Sequence, residues 1–507
     1  MTYGVRGDLT SYLNDLVENT EVSKLTFLDN RKINTGLWPN SKFLLSPRVG
    51  FSYDVKGDKS LKVRGGTGIF TGRIPLVFFT NMPTNGGMVQ NTVTRSGATA
   101  TADLAKLVPG GKMITDVNEM VSVLGLPPTA TAALPSSIAA VDPEFKLPQV
   151  WKSTFAVDYQ IPTSFPMALT LEGMYSKDIN AVCQVNANMP DPVALGYSRF
   201  NGPDNRYIYS STKINSKVTD AMVLLNTDKG YGYTLNATYT TEPIKDLKMM
   251  FAYTHTVVKE ISGNPGSQAN SAWQNQASVD GPNQLGLQNS QYVTPNKVVG
   301  SISYRKAYGK YFATNVGLYY NGFNTGSYSW VYSSDMNKDG VNNDLMYIPA
   351  SKDEILFKEG ANGFTAAQQA EALWSFIEQD SYLSKNKGKY AEAYSARMPW
   401  VNRFDLKIAQ DFRVKAGKTL NTLQISLDIL NFGNMINDSW GVTQTSAPSN
   451  YGKILKYESV DASNHPIYSM YYTTVDGVKK LPTKSFSVYN NQSNCWQLQL
   501  GLRYIFN

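Results

Sequence analysis

Large apolar residues alternate with small or polar ones in stretch after stretch of this chain, the period-two pattern of strands with one greasy and one wet face. Val49, Phe51, Tyr53 and Val55 alternate with Gly50, Ser52 and Asp54; Lys56-Gly57-Asp58-Lys59 turns the chain, and Leu61, Val63, Gly65, Thr67 and Ile69 return. The same plan recurs from Phe155 to Tyr175 around Pro162-Thr163-Ser164, and from Tyr231 to Tyr253 around Pro243-Ile244-Lys245. It recurs again from Val298 to Tyr320 around Tyr308-Gly309, and from Phe404 to Ile429 around Lys415-Ala416-Gly417-Lys418. These are five hairpins. Strands at about 2–12 and 494–507 raise the expected total to twelve.

The last of these strands is the most informative. Trp496, Leu498, Leu500, Leu502, Tyr504 and Phe506 share one face, and Gln497, Gln499, Gly501 and Arg503 share the other. A strand between lipid and a wet lumen has this face-by-face division, and a half-buried soluble strand has it too. Connection lengths separate the two cases. The hairpins are joined by residues 13–42, 73–149, 177–218, 260–294, 324–399 and 433–493, far beyond the loops of a compact soluble sandwich. Short turns on one rim and long loops on the other are the asymmetry of an outer-membrane barrel, and the parity holds through all twelve strands. Charges facing the wet side, Arg48, Lys62, Arg64, Glu172, Arg403, Asp405, Lys407 and Asp411, need water or partners that a dry soluble core could not supply.

Composition agrees. The mean hydropathy of −0.30 looks soluble, yet alternating strands average out on such a scale. The longest apolar runs, Ile74 to Phe79 and Ala221 to Leu225, are far short of the ~20 residues of a helical span, so transmembrane helices are excluded. With 31 Tyr, 21 Phe, 8 Trp and 39 Gly, the chain has the makings of aromatic girdles. The +7 net charge is scattered, which argues against a nucleic-acid footprint. Cys183 and Cys495 are far apart and are expected to stay unpaired. No basic segment followed by an apolar stretch opens the sequence, so the expectation is a C-terminal fragment or an internal start.

Chemistry is sparse. Two histidines, His255 and His465, cannot build a multi-histidine metal site, and an enzyme is not expected. His255 continues the outward face of its strand at the loop end and reads as interfacial packing. Ser210-Ser211-Thr212-Lys213 has Ser-x-x-Lys spacing without its partner motifs, and Gly66-Thr67-Gly68 sits inside a strand pattern. Asp335, Asn337 and Asp339, followed by Gly340 and then Asp344, match the first half of a calcium loop with Asp344 replacing the usual late glutamate. A polar turn closed by Asn and Asp side chains fits equally well. Short helices are expected over 114–121 and 364–374, the second capped by Thr365. Trp273, Trp330, Trp374 and Trp440 fall in the long loops, where aromatic platforms suit glycans, peptides or siderophores, and where packing or interfacial anchoring are the alternatives.

Several segments resemble the TonB-dependent outer-membrane transporters of Bacteroidetes, in particular the Oar-like branch with a carboxypeptidase-regulatory-like N-terminal domain. They are Leu45-Ser46-Pro47-Arg48-Val49-Gly50-Phe51, residues 64–73 (Arg-Gly-Gly-Thr-Gly-Ile-Phe-Thr-Gly-Arg), Asp344-Leu345-Met346-Tyr347-Ile348-Pro349, Asn402-Arg403-Phe404-Asp405-Leu406, residues 428–434 (Asp-Ile-Leu-Asn-Phe-Gly-Asn) and the terminal strand. The resemblance implies an all-β, antiparallel transmembrane barrel of 22 strands around a plug, of which residues 1–507 would supply the last twelve strands and their extracellular loops. It implies active uptake of a large or scarce ligand, driven by the inner-membrane TonB complex, with outer-membrane lipid and a surface lipoprotein as further partners. No cofactor is required beyond calcium if the loop at 335–344 takes it. The plug and the energy-coupling box that the family carries are not in these residues. The competing reading is a self-contained barrel serving as a passive porin or surface adhesin.

Overall fold

The computed structural model describes residues 1–89, 95–126, 133–447 and 452–506. Twelve long strands form one antiparallel meander: β1 (Thr2–Leu9), β2 (Phe43–Asp54), β3 (Leu61–Thr71), β4 (Gln149–Gln160), β5 (Met167–Asn186), β6 (Tyr231–Ile244), β7 (Leu247–Glu260), β8 (Asn296–Tyr308), β9 (Phe312–Asn324), β10 (Trp400–Ala416), β11 (Thr419–Leu430) and β12 (Gln497–Phe506). Each pairs with its neighbour in sequence, and β1 and β12 are the two free edges. All five short turns lie at one rim and all six long connections at the other.

Register places the apolar residues side by side. Leu423, Ile425 and Leu427 of β11 lie opposite Tyr504, Leu502 and Leu500 of β12, and Tyr320 of β9 opposite Phe404 of β10. This outer face is bare: Leu500 and Leu502 are each 73% exposed. An apolar band continuous over a whole sheet has no stable place in water. Aromatic rings border it at both rims. Near the short turns Tyr308 stacks on Phe312, which meets Phe412 edge-on, and Trp151 meets Tyr175 at 5.9 Å near the long loops. His255 belongs to the second border, with Nδ1 at 2.9 Å from the Asn296 Oδ1 and its ring against Tyr233.

The inner face is polar and internally paired. Arg64 bridges Asp158 and Glu172, Lys407 meets Asp428 at 2.7 Å, and Asp411 takes Arg413 at 2.8 Å. Gly66 and Gly68 lie on this face of β3, as expected of a strand rather than a nucleotide loop. A Cβ on Gly66 would stand 2.9 Å from the Val49 carbonyl, so glycine there permits close approach of the strands.

The structure departs from the expected boundaries in three places. The β6–β7 turn falls at residues 245–246, with Asp246 in the left-handed region at φ 68°, because the strands run one step further than the Pro243 signal suggests. Strand β5 continues to Asn186 instead of ending near residue 176. Its upper half pairs with Asp220–Thr227, which pairs in parallel with Ser137–Val141, forming a small sheet above the rim. A helix at Gly97–Leu107 was not anticipated, whereas Val117–Val123 and Ala366–Gln379 were. Residues 210–213 are not helical, which removes the structural context Ser-x-x-Lys needs.

The long connections are folded. Residues from 187–230, 325–399 and 431–496 share one core around Trp330, Tyr332, Met346, Phe376, Leu383 and Tyr468, all almost fully buried. The small rim sheet is covered on both faces. Ile138, Ala140 and Val223 pack against Val22, Phe27 and Ile33, and Val141 and Leu224 against Phe78, Phe79 and Met82. A barrel wall therefore supports a packed cap. Cys183, buried, and Cys495, exposed, are both free thiols.

Candidate functional site

At the centre of the cap lies a buried charge cluster. Arg206 is wholly inaccessible, and its guanidinium grips both oxygens of Asp204 at 2.9 and 3.1 Å while also donating to the Leu345 carbonyl. Asp204 further accepts the hydroxyls of Tyr332 at 2.7 Å, Tyr390 at 3.0 Å and Tyr468 at 3.3 Å. The remaining guanidinium nitrogen stands 3.4 Å from Asp344. Burying a charge at such depth is tolerated only with partners of this quality.

The Asp335–Asp344 loop adjoins this cluster. Asp335 accepts the N–H groups of Asp339 (3.1 Å) and Gly340 (2.9 Å), Asn337 accepts that of Asp339 (3.0 Å), and Asp339 that of Val341 (2.8 Å). Asp344 accepts the Met336 N–H at 2.7 Å. Gly340 takes φ 94°, the sharp turn that the spacing demands. Burial, reinforced by the charge of Asp335, pushes the Asp339 carboxyl up to about 7. Asp344 also rises well above its ordinary range through burial, against the pull of Arg206 and with the Asp339 charge adding to it. The four sequence-chosen oxygen donors thus share one loop, closed here by backbone N–H groups. Among the described residues, no three His, Cys, Asp or Glu side chains are arranged to hold a metal ion.

The four tryptophans are not brought together. Trp273 is buried in the helix Ala269–Gln274, its indole N–H donating to Asn283 at 2.8 Å. Trp330 is fully buried in the cap core. Trp374 is half-buried beneath the Lys387 ammonium, 4.6 Å from the ring centre. Trp440 packs 6.0 Å from Phe404, on the bare apolar side of the wall, where it extends the aromatic border. The geometry gives them packing and anchoring roles.

A chamber that the sequence did not point to lies below the cap. About 680 Å³ in volume, it opens where β3, β5 and β7 leave the wall, between Arg73, Ile74, Val77 and Phe78 on one side and Asp178, Val182, Glu260 and Ile261 on the other. Asp178 and Glu260 are half-buried, and Glu260 is the last residue of its strand. The signal was present but weak: Lys177-Asp178 follows Tyr175 where the apolar alternation breaks.

A wall bare on its apolar face, lined with ion pairs on the other and capped at one rim has one matching solvent, the outer membrane. The model of the outer membrane beta barrel domain family matches residues 2–463. The chain belongs to that family. It is an outer-membrane β-barrel protein, with its short turns at one rim and its packed cap at the other. A search of curated proteins finds no match. Among solved structures, the outer membrane transporter YddB from Escherichia coli is similar at 10% identity and a TM-score of 0.38, over 85% of this chain. The chain spans 39% of the length of that transporter.

Proposed function

We propose that this chain supplies wall and extracellular cap to a TonB-dependent transporter for active uptake of a large or scarce ligand, of glycan, peptide or siderophore type, with residues 1–507 forming one barrel segment. The observation that carries the reading is the cap: three of the six long connections are packed into a common core at the rim of a charged wall, whereas a passive pore needs an open path. The two free edges, β1 and β12, also favour a wall that continues into further strands, since unpaired backbone in lipid is costly. The Oar-like resemblance supplies the energy-coupling complex, the plug and a surface lipoprotein as partners. The reading is non-enzymatic, in line with a sequence that offers only two histidines, His255 and His465.

Calcium enters the same proposal through the spacing at 335–344 and the mutual repulsion of Asp335, Asp339 and Asp344, of which Asp339 and Asp344 feel the Arg206 charge. A cap melting temperature raised by millimolar calcium and lowered again by a chelator supports it; an unchanged temperature removes it. The transport reading is tested by uptake of labelled oligosaccharide, peptide and ferric-siderophore pools into cells with and without the gene. Gene-dependent uptake abolished by a protonophore is the expected result. Uptake that survives the protonophore, or steady conductance of the protein in planar bilayers, would establish the passive barrel instead.

A further inference from the structure

A pocket of about 330 Å³ lies in the cap where three long connections meet: residues 201–204 between β5 and β6, 354–356 between β9 and β10, and 461–468 between β11 and β12. Its walls are apolar. Ile355 and Pro466 are buried beside it, and Pro203 and Leu356 stand exposed at its opening. The almost fully buried Tyr468 also lines it, with its hydroxyl already donated to Asp204. The side chains at the opening present hydrogen-bond acceptors. Asp461 accepts the His465 backbone N–H at 2.8 Å and stands 3.0 Å from the ring Nδ1. Together with the Ser463 N–H, these hydrogen bonds hold the Asp461 carboxyl below its ordinary value. An ionised carboxylate can only accept, so in the neutral imidazole the proton sits on Nδ1 and Nε2 keeps its lone pair. Among the described residues Nε2 meets no partner. The Cδ2 edge of the ring lies over Gly202, whose φ is 97° and where a Cβ would come within 3.2 Å of it. The Asn201 Nδ2 is spent on the Ser463 carbonyl at 2.6 Å, which leaves Oδ1 as its open group. Glu354, half-buried, accepts the Tyr347 hydroxyl and the Ala350 N–H, and its carboxylate has lone pairs to spare.

We infer that this pocket binds a phenolic ring, its faces against Pro203, Leu356 and Pro466 and its hydroxyl donated to the His465 Nε2. The volume falls at the small end of ligand sites, which run from about 300 to 1,000 Å³, and suits a single ring. A sugar carries hydroxyls around its whole rim and would bury several of them against Ile355 and Pro466 without partners. A plain phenyl ring would leave the acceptors at the opening unmatched. A phenol meets both demands. Such a ring comes on the tyrosine side chain of a peptide or as a free phenol. Its use in uptake rests on the transport proposal, but its binding does not, and binding is measured at equilibrium without an energy source.

The full-length protein in outer-membrane vesicles is titrated by calorimetry, against vesicles without it, with N-acetyltyrosinamide, N-acetylphenylalaninamide, p-cresol and methyl glucoside. The tyrosine derivative is expected to bind at least fivefold more tightly than the phenylalanine derivative. His465→Phe, which keeps a ring over Gly202 and removes the acceptor, is expected to abolish that preference. Leu356→Trp, at an exposed position of the opening, is expected to fill the pocket and weaken both derivatives at least tenfold while the cap melting temperature holds. Tighter binding of N-acetyltyrosinamide than of p-cresol would assign the ring to a peptide, and p-cresol binding as tight or tighter to a free phenol. Equal affinity for the tyrosine and phenylalanine derivatives, a preference that survives His465→Phe, or binding undiminished by Leu356→Trp would overturn the inference. So would tighter binding of methyl glucoside than of either phenol, or absence of binding by a protein whose cap melts normally. Each of these results stands whether or not uptake is energised.

Discussion

At the residue scale the cap depends on Arg206. Among the described residues the guanidinium is the cation that faces Asp204, Asp339 and Asp344, and its removal leaves buried carboxylates without a counter-charge. Arg206→Met is expected to cost about 3–5 kcal/mol of cap stability, read from tryptophan fluorescence in urea, since Trp330 is fully buried in the same core. The Asp335–Asp344 loop carries a pH dependence with a definite sign. The Asp339 carboxyl titrates near 7 in the fold and near 4 unfolded, so the folded state holds the proton more tightly. Its stabilisation is present at low pH and declines as pH rises from about 4 to about 7. Asp339→Asn should flatten that decline by about 1–3 kcal/mol, measured as cap melting temperature at pH 5 and pH 8. Neither effect could be read from the sequence. Nothing in the sequence announces that Arg206 and Asp344, 138 positions apart (344 − 206), meet in one salt bridge, whereas the loop's own turn was legible because Gly340 and its Asx partners are local.

At the element scale the barrel strands were legible for a physical reason. Each has lipid on one side and water on the other, so its side chains must alternate, and the alternation survives in sequence. Asp220–Thr227 and Ser137–Val141 did not show themselves because both their faces are buried, and a strand covered on both sides has no alternation to display. Ala221 to Leu225 therefore registered only as a short apolar run. The helix Ala366–Gln379 was legible at its start because the Thr365–Gln368 capping box is written locally: Thr365 accepts the Gln368 N–H at 3.1 Å, and Gln368 accepts the Thr365 N–H at 2.8 Å. Its end ran five residues past expectation, carried by Phe376 and Ile377 in the cap core. Thr365→Ala should cost about 1 kcal/mol, detected as faster proteolysis within this helix. A bulkier change tests the wall: Gly66→Val would force β2 and β3 apart and should lower the yield of membrane-inserted protein severalfold.

At the scale of the whole molecule, wall and cap obey different rules. The wall joins each strand to its neighbour in sequence, while the cap joins segments far apart in sequence, from Phe200 to Met470. The tryptophans chosen for their loop positions illustrate the difference. Loop position was right for all four, but a loop that folds into a core consumes its aromatic residues as packing, and Trp330 and Trp273 are spent in that way.

The Tyr468 hydroxyl reaches Asp204 across 264 residues of sequence, and that separation sets an order of events. A hairpin of the wall can close as soon as its own two strands exist. The cap core cannot, because Ile454, Leu455, Tyr468 and Met470 belong to the last connection, just before β12. Contacts of such long range form late and slowly. During biogenesis the segments carrying Phe200 and Trp330 must therefore wait, exposed, until almost the entire chain has been delivered. In pulse-chase labelling, protease resistance of the cap should follow that of the wall. A chain stopped after residue 430 should keep every strand but the last and never acquire that resistance.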